Sequence, residues 1–223
     1  MLDVIGEILP SAVGVAISPV PIISVILMLF TARAKTNGPA FLAGWVIGLS
    51  VVALVVYSLA DSMDVATDDD AATTVGWGKV ILGLLLLVLA RKQWQGRPRP
   101  GDEPTMPKWM GAIDSFTPGK AFGLGIALSA VNPKNLIITA SAAATIAQSG
   151  LSSGDAAIVI AVFVLVGSLS IAVPVVYALF GGESARHTLD GWKTWLGQNN
   201  ATVMAVLLLV IGAKIIGDGL GWI

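Results

Sequence analysis

Long apolar runs, broken by short polar stretches, organise this chain from end to end. Six of them approach or exceed the roughly 20 residues that a membrane-spanning helix needs: about 5 to 30, 40 to 60, 76 to 92, 120 to 147, 156 to 180 and 200 to 220. Spans of this kind are helical, because backbone groups inside hydrocarbon must find partners within their own segment. The first run begins with Asp3 and Glu7 where a signal peptide carries a basic region, and it holds Pro19 and Pro21 in its apolar part, so it is expected to be retained.

The pattern also repeats. Gly14-Val15-Ala16-Ile17-Ser18-Pro19-Val20 is answered 111 residues later by Gly125-Ile126-Ala127-Leu128-Ser129-Ala130-Val131, with Pro21 after the first copy and Asn132-Pro133-Lys134-Asn135 after the second. Leu49-Ser50 and Val55-Val56-Tyr57 match Leu169-Ser170 and Val175-Val176-Tyr177. Val80, Leu84, Leu85, Leu86, Ala90 and Arg91 match Val203, Leu207, Leu208, Leu209, Ala213 and Lys214. Three matches in one order predict a duplication. The expected fold is an all-α integral membrane protein whose six transmembrane helices form two inverted three-helix repeats, with helices 1 and 4 broken by proline. The repeats cover residues 1–92 and 118–223, and residues 93–117 form a basic linker with an interfacial helix.

Composition supports this class: 55% of residues are hydrophobic and 12% charged, more apolar surface than a chain of 223 residues can bury in a globule. Net charge, −1, matters less than where the charges sit. Ten of the thirteen Lys and Arg lie in or beside three loops, at Arg33 and Lys35, at Arg91, Lys92, Arg97, Arg99, Lys108 and Lys120, and at Arg186 and Lys193. The positive-inside rule makes these loops cytoplasmic. The alternate loops hold Asp61, Asp64, Asp68, Asp69 and Asp70, or, over 148 to 154, no charge at all. Both termini are therefore expected outside, on a multi-pass protein of a bacterial plasma (inner) membrane. Residues 106 to 116 (Met106, Trp109, Met110, Ile113, Phe116) and 188 to 197 (Leu189, Trp192, Trp195 or Leu196) read as amphipathic pieces in the headgroup plane.

Candidate chemistry collects at the prolines. A proline within a helix lacks an amide hydrogen and displaces the carbonyl four residues before it, so Pro19, Pro21 and Pro133 are expected to loosen the carbonyls of Val15, Ile17 and Ser129. Ser18, Ser129, Asn132 and Asn135 add polar side chains at that depth, and Lys134 adds a cation about midway along its segment, where charge is costly and marks function by default. Three readings of Lys134 stand side by side: it binds an anionic group of a substrate, it titrates in proton coupling, or it is a structural cation held by freed carbonyls. No Asp or Glu falls in the interior of any segment, away from its ends, to complete a carboxylate relay. Pro174 marks a further kink, and Gly44, Gly48, Gly123 and Gly125 suit close helix crossings.

Much is excluded. The chain has no cysteine and one histidine, His187, so thiol redox chemistry and soft-metal transport lack ligands. No phosphate loop, metal cluster or activated nucleophile is visible, and no cofactor or enzymatic activity is implied. The basic linker is what topology demands and does not indicate nucleic acid.

With its proline-broken first helix at Ser18-Pro19-Val20-Pro21, its Asn132-Pro133-Lys134-Asn135 break, its Gly83-Leu84-Leu85-Leu86-Leu87 third segment and its charged central loop, the chain resembles the GAP or Sap proteins over its whole length. These are glycolipid- or sulfolipid-addressing proteins of mycobacteria and related actinobacteria, within the superfamily of LysE-type exporters. The resemblance implies a plasma-membrane protein that moves a glycolipid or lipid-linked product toward the cell surface. The expected function is a secondary transporter that exports or flips an anionic amphiphile, its head near Lys134, Asn132, Asn135, Ser129 and Ser18. The alternatives are an exporter of small amino-acid-like solutes, or a non-transporting scaffold of a glycolipid export machine. Partners expected on this reading are membrane lipids, an anionic lipid or small-molecule substrate, that export machinery, and, by analogy with other six-helix exporters, a second copy of the chain.

Overall fold

A computed structural model describes residues 1–62, 69–97 and 108–221, and of residues 69–72 and 108–110 the backbone alone. Asp64, Asp68, Arg99 and Met106 therefore lie outside the described residues, as do the side chains of Asp69, Asp70, Lys108, Trp109 and Met110. Among the described residues eight α-helices run in the order α1 (Leu2–Ala16), α2 (Pro19–Leu29), α3 (Ala34–Asp61), α4 (Asp69–Gln95), α5 (Pro118–Ile126), α6 (Pro133–Gln148), α7 (Ser153–Phe180) and α8 (Gly182–Leu220). Among the described residues there is no strand. Four helices, α3, α4 from Thr73, α7 and α8, are each long and apolar enough to cross a membrane. The count rises to six if α1 with α2, and α5 with α6, are each one bent span.

The prolines do more than kink. Pro19 and Pro133 each sit at the first position of a new helix, where the missing N–H costs nothing and the fixed φ suits the turn. Pro19 opens α2 after a break at Ile17 and Ser18, with a bend of 52°. Pro133 opens α6 after Asn132, with a bend of 61°. In the second break the chain first widens into a π-helical stretch, Ala127–Val131, where the Asn132 N–H reaches the carbonyl of Ala127. The repeated phrases lie 111 residues apart and the two helix-opening prolines 114 apart, and the wider turn of that stretch takes up one of the three extra residues.

Helices that share a lipid solvent gain little from hiding apolar surface from one another, so close van der Waals packing must hold them. The chain obtains it with glycine. A Cβ on Gly44 would lie 2.1 Å from the carbonyl oxygen of Phe122, and one on Gly125 would lie 2.3 Å from that of Phe41, so α3 and α5 touch backbone to backbone. Gly48 leaves room for the Ser129 hydroxyl. Gly123, in contrast, faces open space and takes no part in this crossing. Between α4 and α8 the same device uses Gly83 and Gly212, each against the other's carbonyl. Trp45, wholly buried and stacked on Phe41 at 6.5 Å, ties α3 to α7 through its Nε1–H and the carbonyl of Gly167 (3.3 Å).

Both amphipathic pieces differ from expectation. Lys108–Ser115 is a 3-10 helix, and Ile113 is buried in the core while Asn37 donates to the carbonyl of Phe116 (3.0 Å). This piece packs against α2 and puts Ile113 into the core. Residues 188 to 197 are no separate element but part of α8, whose 39 residues extend roughly 58 Å at 1.5 Å per residue, nearly twice the hydrocarbon thickness of about 30 Å.

Candidate functional site

The break between α1 and α2 leaves carbonyls at the end of α1 without a following turn to pair them. Lys134, in the first turn of α6, supplies the donors. Its Nζ donates to the carbonyls of Gly14 (2.6 Å) and Ile17 (3.0 Å) and to Ser18 Oγ (2.6 Å). An ammonium has three hydrogens and no acceptor, so all three are engaged, and the side chain is 3% exposed. A cation at the end of α1 also complements the partial negative charge of that helix terminus.

Ser18 is the hub. It occupies the N-cap position of α2, where a serine ordinarily accepts from the backbone of the first turn. Here its side chain makes no capping bond. Its hydroxyl instead points to the carbonyl of Val15 (2.7 Å) and to Asn135 Oδ1 (3.1 Å) while accepting from Lys134. Asn135 Nδ2 donates to the carbonyl of Leu128 in the π-helical stretch (2.9 Å), joining the second break to the first. Asn132 performs the capping that Ser18 does not, its Oδ1 accepting from the Lys134 N–H (3.0 Å). The two breaks are thus one hydrogen-bonded unit, built from residues 117 positions apart in sequence.

Of the expected residues, Lys134, Asn135, Asn132 and Ser18 come together. Ser129 does not join them: its hydroxyl returns to the carbonyl of Ile126 (3.1 Å) and lies against Gly48. Pro19 and Pro21 are buried, whereas Pro133 is exposed. Pro174 is buried in an unbroken α7 and lines a groove of about 460 Å³.

That groove is open at the side of the bundle between α2, α7 and α8, walled by Ile22, Leu169, Val173, Pro174, Trp192, Trp195 and Leu196. Among the described residues that line it, Ser170 alone brings a hydroxyl, which donates to the carbonyl of Ala16 (2.5 Å), one residue from the α1 break. Through Ser170 the apolar groove borders the backbone beside the α1 break.

Two participants escape the sequence reading. Ser170 stands in the repeat, but nothing local points it at Ala16, 154 residues away. Lys79, 1% exposed, lies in α4 and donates to Gln148 at the end of α6. It was as visible as Lys134, since it too is a lysine within an apolar segment and outside the basic loops. Near it in α8, Lys214 and Asp218 pair at 2.5 Å. Among the described residues no group of three or more His, Cys, Asp and Glu could hold a metal ion.

No curated protein and no solved structure matches this chain. Residues 8–221, nearly its whole length and including both helix breaks, match the family described as Sap, sulfolipid-1-addressing protein, and the chain therefore belongs to that family.

Proposed function

We propose that the protein is a membrane transporter that exports or flips an anionic glycolipid or lipid-linked intermediate across a bacterial plasma membrane. The observation that carries this reading is the lateral groove between α2, α7 and α8, whose apolar walls suit an acyl chain and whose inner end, Ser170, is bonded to the broken backbone beside Lys134. A small polar solute has no use for such walls.

The inverted repeat supplies the motion. Exchanging the halves maps α1–α2 onto α5–α6, α3 onto α7 and α4 onto α8. The packing respects that exchange: α3 lies against α5 and α6 as α7 lies against α1 and α2, and α4 pairs with α8. This supports six spans, each bent pair counting as one, in two halves that rock about the shared breaks. In the conformation described, Lys134 is a clasp: the head group reaches its Nζ only after a bond to Gly14, Ile17 or Ser18 is exchanged. Asn132, Asn135 and Ser18 then complete the head-group site, with Ser129 and the prolines shaping the hinge.

A second reading is favoured by the full engagement of Lys134, which also fits a structural cation in a scaffold of an export machine. Reconstituted vesicles decide between them. A fluorescent sulfated glycolipid is followed across the bilayer by chemical quenching of the outer leaflet. The transporter moves it, and Lys134→Met and the groove-filling Ser170→Phe each slow movement at least tenfold. If wild-type vesicles move none, while substitutions in the exposed loops abolish export in cells, the scaffold reading replaces this one.

A further inference from the structure

At the turn from α7 to α8 a second cleft, of about 520 Å³, is lined by Arg33 and Lys35 from the start of α3, by Arg186 from α8, and by Leu29, Ala178, Leu179 and Leu189. Among the described residues no carboxylate lines it. Among the described residues, Arg33, Lys35 and Arg186 form no ion pair. The carboxylate of Asp190 nearby is already paired with Lys193 at 2.6 Å. Arg186 and Lys193 both lie by the ring of Phe30, at 5.6 and 5.3 Å from its centre, so the aromatic face gathers positive charge at this end of α2.

We propose that this cleft receives the anionic head group of a membrane amphiphile, with its acyl chain running along α8 into the groove at Trp192 and Trp195. Unpaired cations call for an anion, and the apolar wall calls for a chain attached to it. The two cavities share one helix. Arg186 lines the first, Trp195 lines the second, and nine residues of α8 separate them by roughly 13 Å at 1.5 Å per residue. The site lies apart from the Lys134 clasp and precedes it on the path. The proposal rests on the lipid reading of the function and gives that reading a direction, because the amphiphile loads from the side that bears the basic loops.

The full chain is reconstituted in phosphatidylcholine vesicles holding a small fraction of either phosphatidylglycerol or phosphatidylcholine with brominated acyl chains, and tryptophan emission is recorded. The contribution of Trp192 and Trp195 is the difference from a Trp192→Phe/Trp195→Phe variant. Brominated phosphatidylglycerol is expected to quench this contribution several-fold more than brominated phosphatidylcholine at equal content. Arg33→Gln/Arg186→Gln abolishes the difference, each lost cation weakening selectivity about fivefold, and Arg33→Lys/Arg186→Lys retains it. Equal quenching by the two lipids overturns the proposal, as does selectivity that survives the glutamine variant. Selective quenching without glycolipid movement leaves this site standing and sinks the transport reading alone.

Discussion

Lys134 is held by carbonyls that a continuous helix would have kept for itself. Removing its side chain leaves Gly14 and Ile17 with buried, unpaired acceptors and strips Ser18 of a donor, and each buried orphan costs about 1–3 kcal/mol. Lys134→Ala is therefore expected to destabilise the protein by about 2–5 kcal/mol, seen as a lower unfolding temperature in lipid nanodiscs. Ser129→Ala, which loses a bond within its own turn, is expected to fall by less than about 1 kcal/mol. A Lys134→Ala protein as stable as the wild type removes the clasp from the account. At this scale the sequence was informative about identity and silent about partners. A lysine, two asparagines and a serine beside prolines are visible as unusual in apolar segments. That Ser18 gives up its capping role to bond Asn135 depends on where α6 lies, and no local preference encodes that.

Among the elements, the α3–α5 crossing is the sharpest. Gly44 and Gly125 meet backbone oxygens at distances no Cβ tolerates, and backbone cannot swing aside as a long side chain can. Gly44→Ala and Gly125→Ala are each expected to cost about 1–3 kcal/mol, by forcing the helices apart. Gly123→Ala on the same helix meets nothing and is expected to be neutral, or to gain up to about 1 kcal/mol in helix propensity. Equal unfolding temperatures for all three would show that the crossing is looser than these distances. Four small residues suggested close crossings from sequence alone, and the crossing uses three of them. The fourth differs by helical phase: Gly123 and Gly125 stand two apart on α5, about 200° around the helix, so only one of them can face α3. The π-helical stretch was hidden too: nothing in the repeated phrases shows that Pro133, and not the residue matching Pro19, opens the next helix. The length of α8 was hidden for another reason: its first half is polar and reads as a loop beside an interface, whereas a helix needs only absent breakers and a partner to lie on, here α2.

For the whole molecule, orientation decides whether the two breaks belong to opposed halves. Basic side chains gather at Arg33, Lys35 and Arg186, which share one cleft, and this agrees with a single cytoplasmic end for the loops that carry them. The native chain has no cysteine, so any cysteine introduced is the sole thiol and can be labelled without first clearing a background. Thr36→Cys and Ser184→Cys, both exposed and beside that cleft, are expected to react with a membrane-impermeant maleimide only after cells are opened. Ser62→Cys and Ser153→Cys, exposed at the far ends of α3 and α7, are expected to react in intact cells. Opposed halves require this pairing, because α3 and α7 then run in opposite senses through their halves, with the start of α3 and the end of α7 together at the basic cleft. Labelling of Thr36→Cys and Ser62→Cys from the same side would mean that α3 does not cross the membrane. Labelling of Thr36→Cys from one side and Ser184→Cys from the other would separate the two walls of the basic cleft. Either result dissolves the inverted repeat, and with it the mechanical reason for two broken helices to meet at one lysine.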